Sequence, residues 1–188
     1  MKKLIVSEFV SLDGVIEAPG GEPGFKHTGW VFSFHGPAQE KYKLDETMEA
    51  ESLLLGRVTY EGFAEAWPPR GGPFAEKMNE MPKYVVSSTI DSPQWNNTTV
   101  VRGDVAEEVA KLKEGEGGPI LIAGSRTLAQ SLMPDGLIDE YRLMIFPVVL
   151  GSGKRLFPDA AEDKLDLKLA DTEVFESGVA VLTYHPAG

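Results

Sequence analysis

Cysteine is missing altogether, with 0 in 188 residues. That excludes a disulfide framework, thiolate catalysis and metal held by cysteine sulfur. Histidine is scarce, and His27, His35 and His185 do not fall at metal-ligand spacings. Positive charge is in deficit: 18 Lys and Arg face 29 Asp and Glu, a net charge of -11. Nucleic acid is therefore not an expected partner, because its phosphates need an excess of cations. A small anionic ligand needs only a local cationic pocket and stays open. No apolar run reaches membrane-spanning length. The N-terminal "MKKLIVSEFVSLDG" is interrupted by Glu8 and Asp13 and precedes no small-residue cleavage site, so it does not read as a signal peptide. The expectation is a cytoplasmic protein with no nucleic-acid and no membrane partner.

The common cofactor and hydrolase motifs are missing as well. A dinucleotide fingerprint G-x-G-x-x-G belongs after the first strand, where this chain has "SLDGVIEA". "GSGKR" offers Gly153 and Lys154, but no glycine stands five residues before Gly153, and Arg155 occupies the place of the magnesium-binding Ser or Thr of a phosphate loop. No G-x-S-x-G nucleophile elbow occurs.

What is present is an ordinary globular composition, 42% hydrophobic and 25% charged, of a size that suits one domain spanning residues 1–188. "KLIVSEFV" is apolar and β-branched and predicts a buried first strand. A Gly/Pro-rich loop follows, then a helical pattern from His35 to Glu51. "ESLLLG" predicts a short strand and "RVTYEGFAEAW" a helix that the two prolines after Trp67 stop. "PKYVVSST" and "NTTVVRG" are further strands. "DVAEEVAKLKEG" is an amphipathic helix with Asp104 as N-cap and Gly115 as its stop. "PILIAGSRTLAQSL" runs a strand straight into a helix that ends before Pro134. "IDEYRLMIFPVVLG" predicts one long strand, and the tail from Leu165 alternates on both sides of "ESG", as a closing hairpin does. Strands alternating with helices, then strands alone, predict an α/β fold with a mostly parallel sheet and an antiparallel C-terminal edge.

Several strand ends carry groups suited to anions. Gly56, Arg57 and Thr59 stand where a strand opens a helix, whose first amides lack intrahelical partners. Ser87 and Ser88 end another strand, and Arg102 a third. Ala123, Gly124, Ser125, Arg126 and Thr127 form a fourth strand-to-helix turn. In a parallel sheet these ends share one rim, the usual ligand-binding edge of such folds. Two separate anion sites would suit a dinucleotide with an extra phosphate.

"LLLGRVTYEGF", "PKYVVSST", "VVRGD" and "ILIAGSRTLAQSLM" resemble, in order, the cofactor segments of dihydrofolate reductases. "SLDG" and "IDEYRLMIFPVVLGSGKRLF" resemble the reductase domain of bacterial riboflavin biosynthesis, the RibD C-terminal type. The likeness covers Lys3 to Tyr184. It implies a dihydrofolate reductase-like three-layer α/β/α fold, a homodimer, and NADPH as cofactor. By that resemblance Arg57 binds the 2′-phosphate, Thr59 contacts phosphates, Ser87 and Ser88 lie beside the adenosine ribose, Arg102 adds a cation, and Ala123 to Thr127 hold the pyrophosphate. Dihydrofolate reductases have consecutive glycines in that turn, whereas this chain has Ala123 and Ser125 around Gly124.

On the substrate side, dihydrofolate reductases keep an acid early in the first helix. Glu40 is near that place, but the preceding loop differs, so folate reduction is not implied. The riboflavin-pathway enzyme reduces 5-amino-6-(5-phosphoribosylamino)uracil, which implies a small pyrimidine- or pterin-like substrate here. Hydride delivery leaves a nitrogen or oxygen that needs a proton. Asp13, at the sheet edge in "SLDG", is the expected acid, or else only an Asp-Gly turn. Glu17 and Glu40 are further candidates. Trp30, with Phe25 and Phe32, forms a lid over the nicotinamide or packs the loop onto the body. Arg155 meets a substrate phosphate or is an exposed loop charge. A non-catalytic NADPH-binding sensor is the other function class.

Overall fold

The computed structural model describes residues 1–158 and 164–187. Among these residues, eight strands form one sheet in the order β4-β3-β2-β5-β1-β6-β8-β7. The strands are β1 (Leu4–Ser11), β2 (Ser52–Gly56), β3 (Lys83–Val86), β4 (Thr98–Val101), β5 (Ile120–Ala123), β6 (Glu140–Phe146), β7 (Leu167–Val174) and β8 (Ala180–Pro186). Every pairing from β4 to β6 is parallel, and β6–β8 and β8–β7 are antiparallel. The helices are α1 (Pro37–Glu49), α2 (Arg57–Ala66), α3 (Pro73–Glu80), α4 (Val105–Lys113) and α5 (Arg126–Leu132). No helix among the described residues is long and apolar enough to cross a membrane.

The alternation of β1 decides which helix covers which face. Leu4 and Val6 pack with Val109 of α4 and Leu128 and Leu132 of α5. Ile5 belongs to the opposite cluster, with Tyr60 of α2 and Met78 of α3, and the Ser7 hydroxyl meets Glu46 of α1 on that face. Helices thus cover both faces of the sheet, as the expected three-layer α/β fold requires. The Asp104 carboxylate accepts the Glu107 amide, the N-cap read from sequence.

Two local expectations change. The segment after Trp67, to which the sequence reading assigns no element, holds α3. Gly72 at φ +93 and Pro73 at the first helical position start it, and Ala75 and Met78 face the core. Lys83, fully buried, then ties this helix to β3. Its ammonium donates to the Met78, Asn79 and Met81 carbonyls at 2.8–2.9 Å, and its Nζ lies 4.3 Å from the Trp95 ring centroid. Burial pushes its pKa down to about 8. The second change is at β6, which ends at Phe146 instead of continuing to Leu150. Pro147 has no amide to donate, and Val148 N–H turns back onto the Phe146 carbonyl at 2.8 Å.

Candidate active site at the rim of the parallel sheet

Parallel strands β2, β3, β4 and β5 bring the anticipated residues to one rim. Arg57, Ser87, Ser88 and Arg102 line a single groove of about 480 Å³, together with Thr89 and Gly103. Arg57 opens α2 and forms an exposed pair with Glu61, at 2.9 Å. Arg102 does more than carry charge. Its guanidinium donates to the Ser88 carbonyl at 3.0 Å, to the carbonyls of Ser87 and Ile90, and to Asp91 at 3.2 Å. It therefore fixes the loop after β3. The Ser87 hydroxyl accepts the amides of Thr89 and Ile90, both at 3.1 Å, so it shapes that loop from inside.

The β5 turn joins the groove through α2. Gly124 and Ser125 both take left-handed conformations, φ +65 and +61. Ser125 N–H donates to Thr59 Oγ1 at 2.9 Å, and Gly56 N–H donates to Ser125 Oγ at 2.9 Å. A Cβ on Gly124 would stand 3.1 Å from Thr59 Cγ2, so only glycine fits this approach. The Ser125 amide, in the turn that the resemblance gives to the pyrophosphate, is committed to Thr59. Arg126 is also redirected. Its Nε donates to the Arg155 carbonyl at 2.7 Å, which draws the side chain toward the loop after β6. Thr127 is exposed on the first turn of α5.

The expected acids hold backbone. Asp13 accepts the Ser11 hydroxyl at 2.7 Å and the amides of Leu150 and Gly151 at 3.1 and 2.8 Å. The Ser11 bond first, and then those amides, pull its pKa down to about 2. These bonds match the Asp-Gly turn, the reading that stands beside the acid for Asp13 in the sequence. Glu17 accepts the Lys154 amide at 2.9 Å. The Val15–Arg155 bridge completes the docking of "SLDG" onto "GSGKR", and a Cβ on Gly153 would come within 2.5 Å of Val15 Cγ1. Arg155 is exposed, with its Nε on the Asp13 carbonyl at 3.1 Å.

The surroundings of Trp30 match the second of its two readings, packing of the loop onto the body. Trp30 is buried, its indole N–H donates to the Glu17 carbonyl at 2.9 Å, and its ring meets Phe146 edge-on at 5.3 Å. Phe25 packs on Gly153, whereas Phe32 is exposed. Glu40 lies on the surface and pairs with His35, away from the rim groove.

Glu8 was passed over in the sequence reading, although a lone carboxyl within an apolar strand is a visible signal. It is 6% exposed, and its Oε1 has no hydrogen-bond partner. Burial pushes its pKa well above the usual carboxylate range, against the pull of Lys43 and the Gly124 amide. On the opposite face of β1, Lys43 donates to Ser7 Oγ at 2.9 Å and pairs with Glu46.

A second groove, of about 370 Å³, lies between α1 and the β6–β8–β7 face. Asp45, Glu46, Glu49, Glu140 and Asp171 surround Arg142 there. Arg142 meets Glu140 at 2.6 Å and Glu49 at 3.0 Å. Burial alone would raise Glu140, but the Arg142 bond and Lys3 hold it below the usual carboxylate range.

The chain is 32% identical to the uncharacterized protein YyaP of Bacillus subtilis (strain 168), an alignment covering 98% of this chain and 95% of that one. Among solved structures, a Shewanella sp. PV-4 protein assigned to riboflavin biosynthesis superposes with a TM-score of 0.76 at 25% identity, covering 99% of both chains. A dihydrofolate reductase from Enterococcus faecalis complexed with NADP(H) shares the fold, with a TM-score of 0.65 at 20% identity over 99% of this chain and 97% of that one. The sequence profile of the RibD C-terminal domain matches residues 2–181, and with that match the chain belongs to the RibD C-terminal domain family.

Proposed function

We propose that this protein is an NADPH-dependent reductase of a small pyrimidine- or pterin-like molecule. The observation that carries the reading is the rim groove, which has two arginines and no carboxylate among its lining residues in a chain of net charge -11. The 2′-phosphate falls to Arg57 and Arg102, with Ser87 and Ser88 at the adenosine ribose. The exposed Arg57–Glu61 pair is worth roughly 0.3–0.5 kcal/mol, so a dianionic phosphate displaces Glu61 at little cost. Arg102 already holds the loop that carries the serines. The pyrophosphate lies against Gly124, where the missing side chain lets backbone approach, and against the first turn of α2. Thr59 and Ser125 keep those two turns in fixed relation. NADPH, when bound, supplies the hydride; the chain binds it, orients it and limits water around it. Asp13 and Glu17 support the floor of the substrate side by holding residues 150–154.

A small-molecule substrate and a second copy of the chain are the partners in this reading. Among the described residues β7 is the edge strand of the sheet and carries exposed Leu169 and Val174, which a second copy would extend.

Titration of the protein with NADPH and NADH, followed by nicotinamide fluorescence, tests the proposal. NADPH is expected to bind at least about tenfold more tightly, and Arg57→Ala is expected to remove most of that preference, as loss of a charge-assisted bond implies. Equal affinity for the two, or binding of neither, overturns the reading. Oxidation is then followed with a panel of pyrimidines and pterins, and tight binding with no turnover on any of them favours the sensor.

A further inference from the structure

One oxygen of the buried Glu8 carboxyl, Oε1, has no partner in the fold. β1 is otherwise apolar or hydroxyl-bearing on both faces, and a buried polar atom without a partner calls for a cause. Glu46 Oε1, also unpartnered by hydrogen bonds, at least faces the Arg142 guanidinium at 3.7 Å. Glu8 Oε1 has no such neighbour within bonding distance.

Its position in the sheet points to a ligand. Ser7 pairs with Ala123, so Glu8 stands one step further, level with Gly124, where β5 leaves the sheet for its turn. The Gly124 amide is the backbone donor acting on the Glu8 carboxyl. The rim therefore reads, from one side to the other, Arg102 after β4, Ser87 after β3, Arg57 after β2, Gly124 after β5 and Glu8 in β1. Four strand spacings separate β4 from β1, about 19 Å. An extended dinucleotide covers such a span. With its 2′-phosphate between Arg57 and Arg102 and its pyrophosphate at Gly124, the end bearing the carboxamide arrives at β1.

We propose that the buried Glu8 carboxyl, through the Oε1 that nothing in the fold partners, hydrogen-bonds to the carboxamide of the bound dinucleotide. The inference rests on the NADPH reading above and assigns the end of the site opposite the arginines. A neutral acid suits this place for two reasons. It has a proton to donate where an ionised one has only lone pairs, and it brings no negative charge beside the pyrophosphate turn. Burial in an apolar strand favours the protonated form.

The test compares two ligands and two variants by equilibrium binding. 2′,5′-ADP occupies the arginine end alone, and NADPH occupies both ends. Glu8→Leu is expected to weaken NADPH about tenfold and to leave 2′,5′-ADP within twofold of the unaltered protein. Glu8→Gln keeps a donor and an acceptor in the same shape and is expected to bind NADPH within about threefold of the unaltered chain, which also guards against a folding defect in the leucine variant. Unchanged NADPH affinity in Glu8→Leu overturns the proposal. So does equal weakening of both ligands by Glu8→Leu, because that outcome makes Glu8 a prop for the Gly124 turn. Failure of the unaltered protein to bind either ligand overturns the NADPH reading itself.

Discussion

At the ends of β2, β3 and β4, a groove is lined by Arg57, Arg102 and hydroxyl-bearing residues, without a carboxylate. Between α1 and the β6–β8–β7 face, the other groove sets five carboxylates around Arg142. The first lies where parallel strands turn into helices, so unpaired helix amides add to the arginines. The second lies on the face of antiparallel strands. Ser7, Arg142, Thr183 and Asp171 form a lane across β1, β6, β8 and β7 there, and charge is balanced between side chains. Net charge is thus a poor guide to what a protein binds. Five carboxylates gather in one groove, and none lines the other.

The largest expected effect breaks the cationic groove. The double change Arg57→Ala and Arg102→Ala removes two charge-assisted contacts of about 1.5–3 kcal/mol each, so the NADPH dissociation constant rises by at least about a hundredfold. NADH affinity is expected to change far less, and a parallel loss for both cofactors in fluorescence titration would show that the arginines only hold the loop. Gly124→Ala comes next. A side chain in the left-handed region costs about 1–2 kcal/mol, and its Cβ meets Thr59 at 3.1 Å. At this chain length each lost kcal/mol lowers Tm by about 2–4 °C. NADPH is expected to weaken about tenfold, by titration, with 2′,5′-ADP affected less.

A smaller effect separates support from chemistry at Asp13. Its pKa is depressed in the folded protein, so its stabilisation is fully present above the ordinary carboxylate value and is lost as pH falls toward about 2. Urea unfolding of Asp13→Asn is therefore expected to show lower stability than the unaltered chain at pH 7 and a gap that closes between pH 4 and pH 2. A gap independent of pH would point to packing instead. The smallest effect belongs to the acidic groove. Asp171→Asn with Glu49→Gln should change NADPH affinity by less than about twofold. β8 lies four strand spacings from β2, about 19 Å, well beyond the roughly 8 Å screening length at physiological salt. A fivefold change would mean that the two grooves are coupled.

Much of the rim is legible in the sequence. Strands rich in branched residues and helices begun by Arg57 and capped by Asp104 are set by local pattern, and parallel pairing then collects their ends. The segment 73–80 was missed although Phe74, Met78 and Met81 repeat at helical spacing, because the prolines and glycines around it read as loop. Asp13 and Trp30 each keep two readings in the sequence, for a different reason. Their partners, Leu150 with Gly151 and Phe146, lie far along the chain, and residue type alone does not say whether a carboxylate faces a ligand or a distant amide. Glu8 shows the reverse case. The misfit of a carboxyl in an apolar strand was plain in the sequence, but its meaning depends on Gly124, which only strand pairing brings alongside.

The hydroxyls of Thr59 and Ser125 fasten the two turns of the rim to one another. Such a clasp settles the shape of the pocket during folding, so little ordering is left for the moment of association. Thr59→Val would leave both turns in place but undo the clasp, and the entropy of binding, more than its enthalpy, would carry the difference.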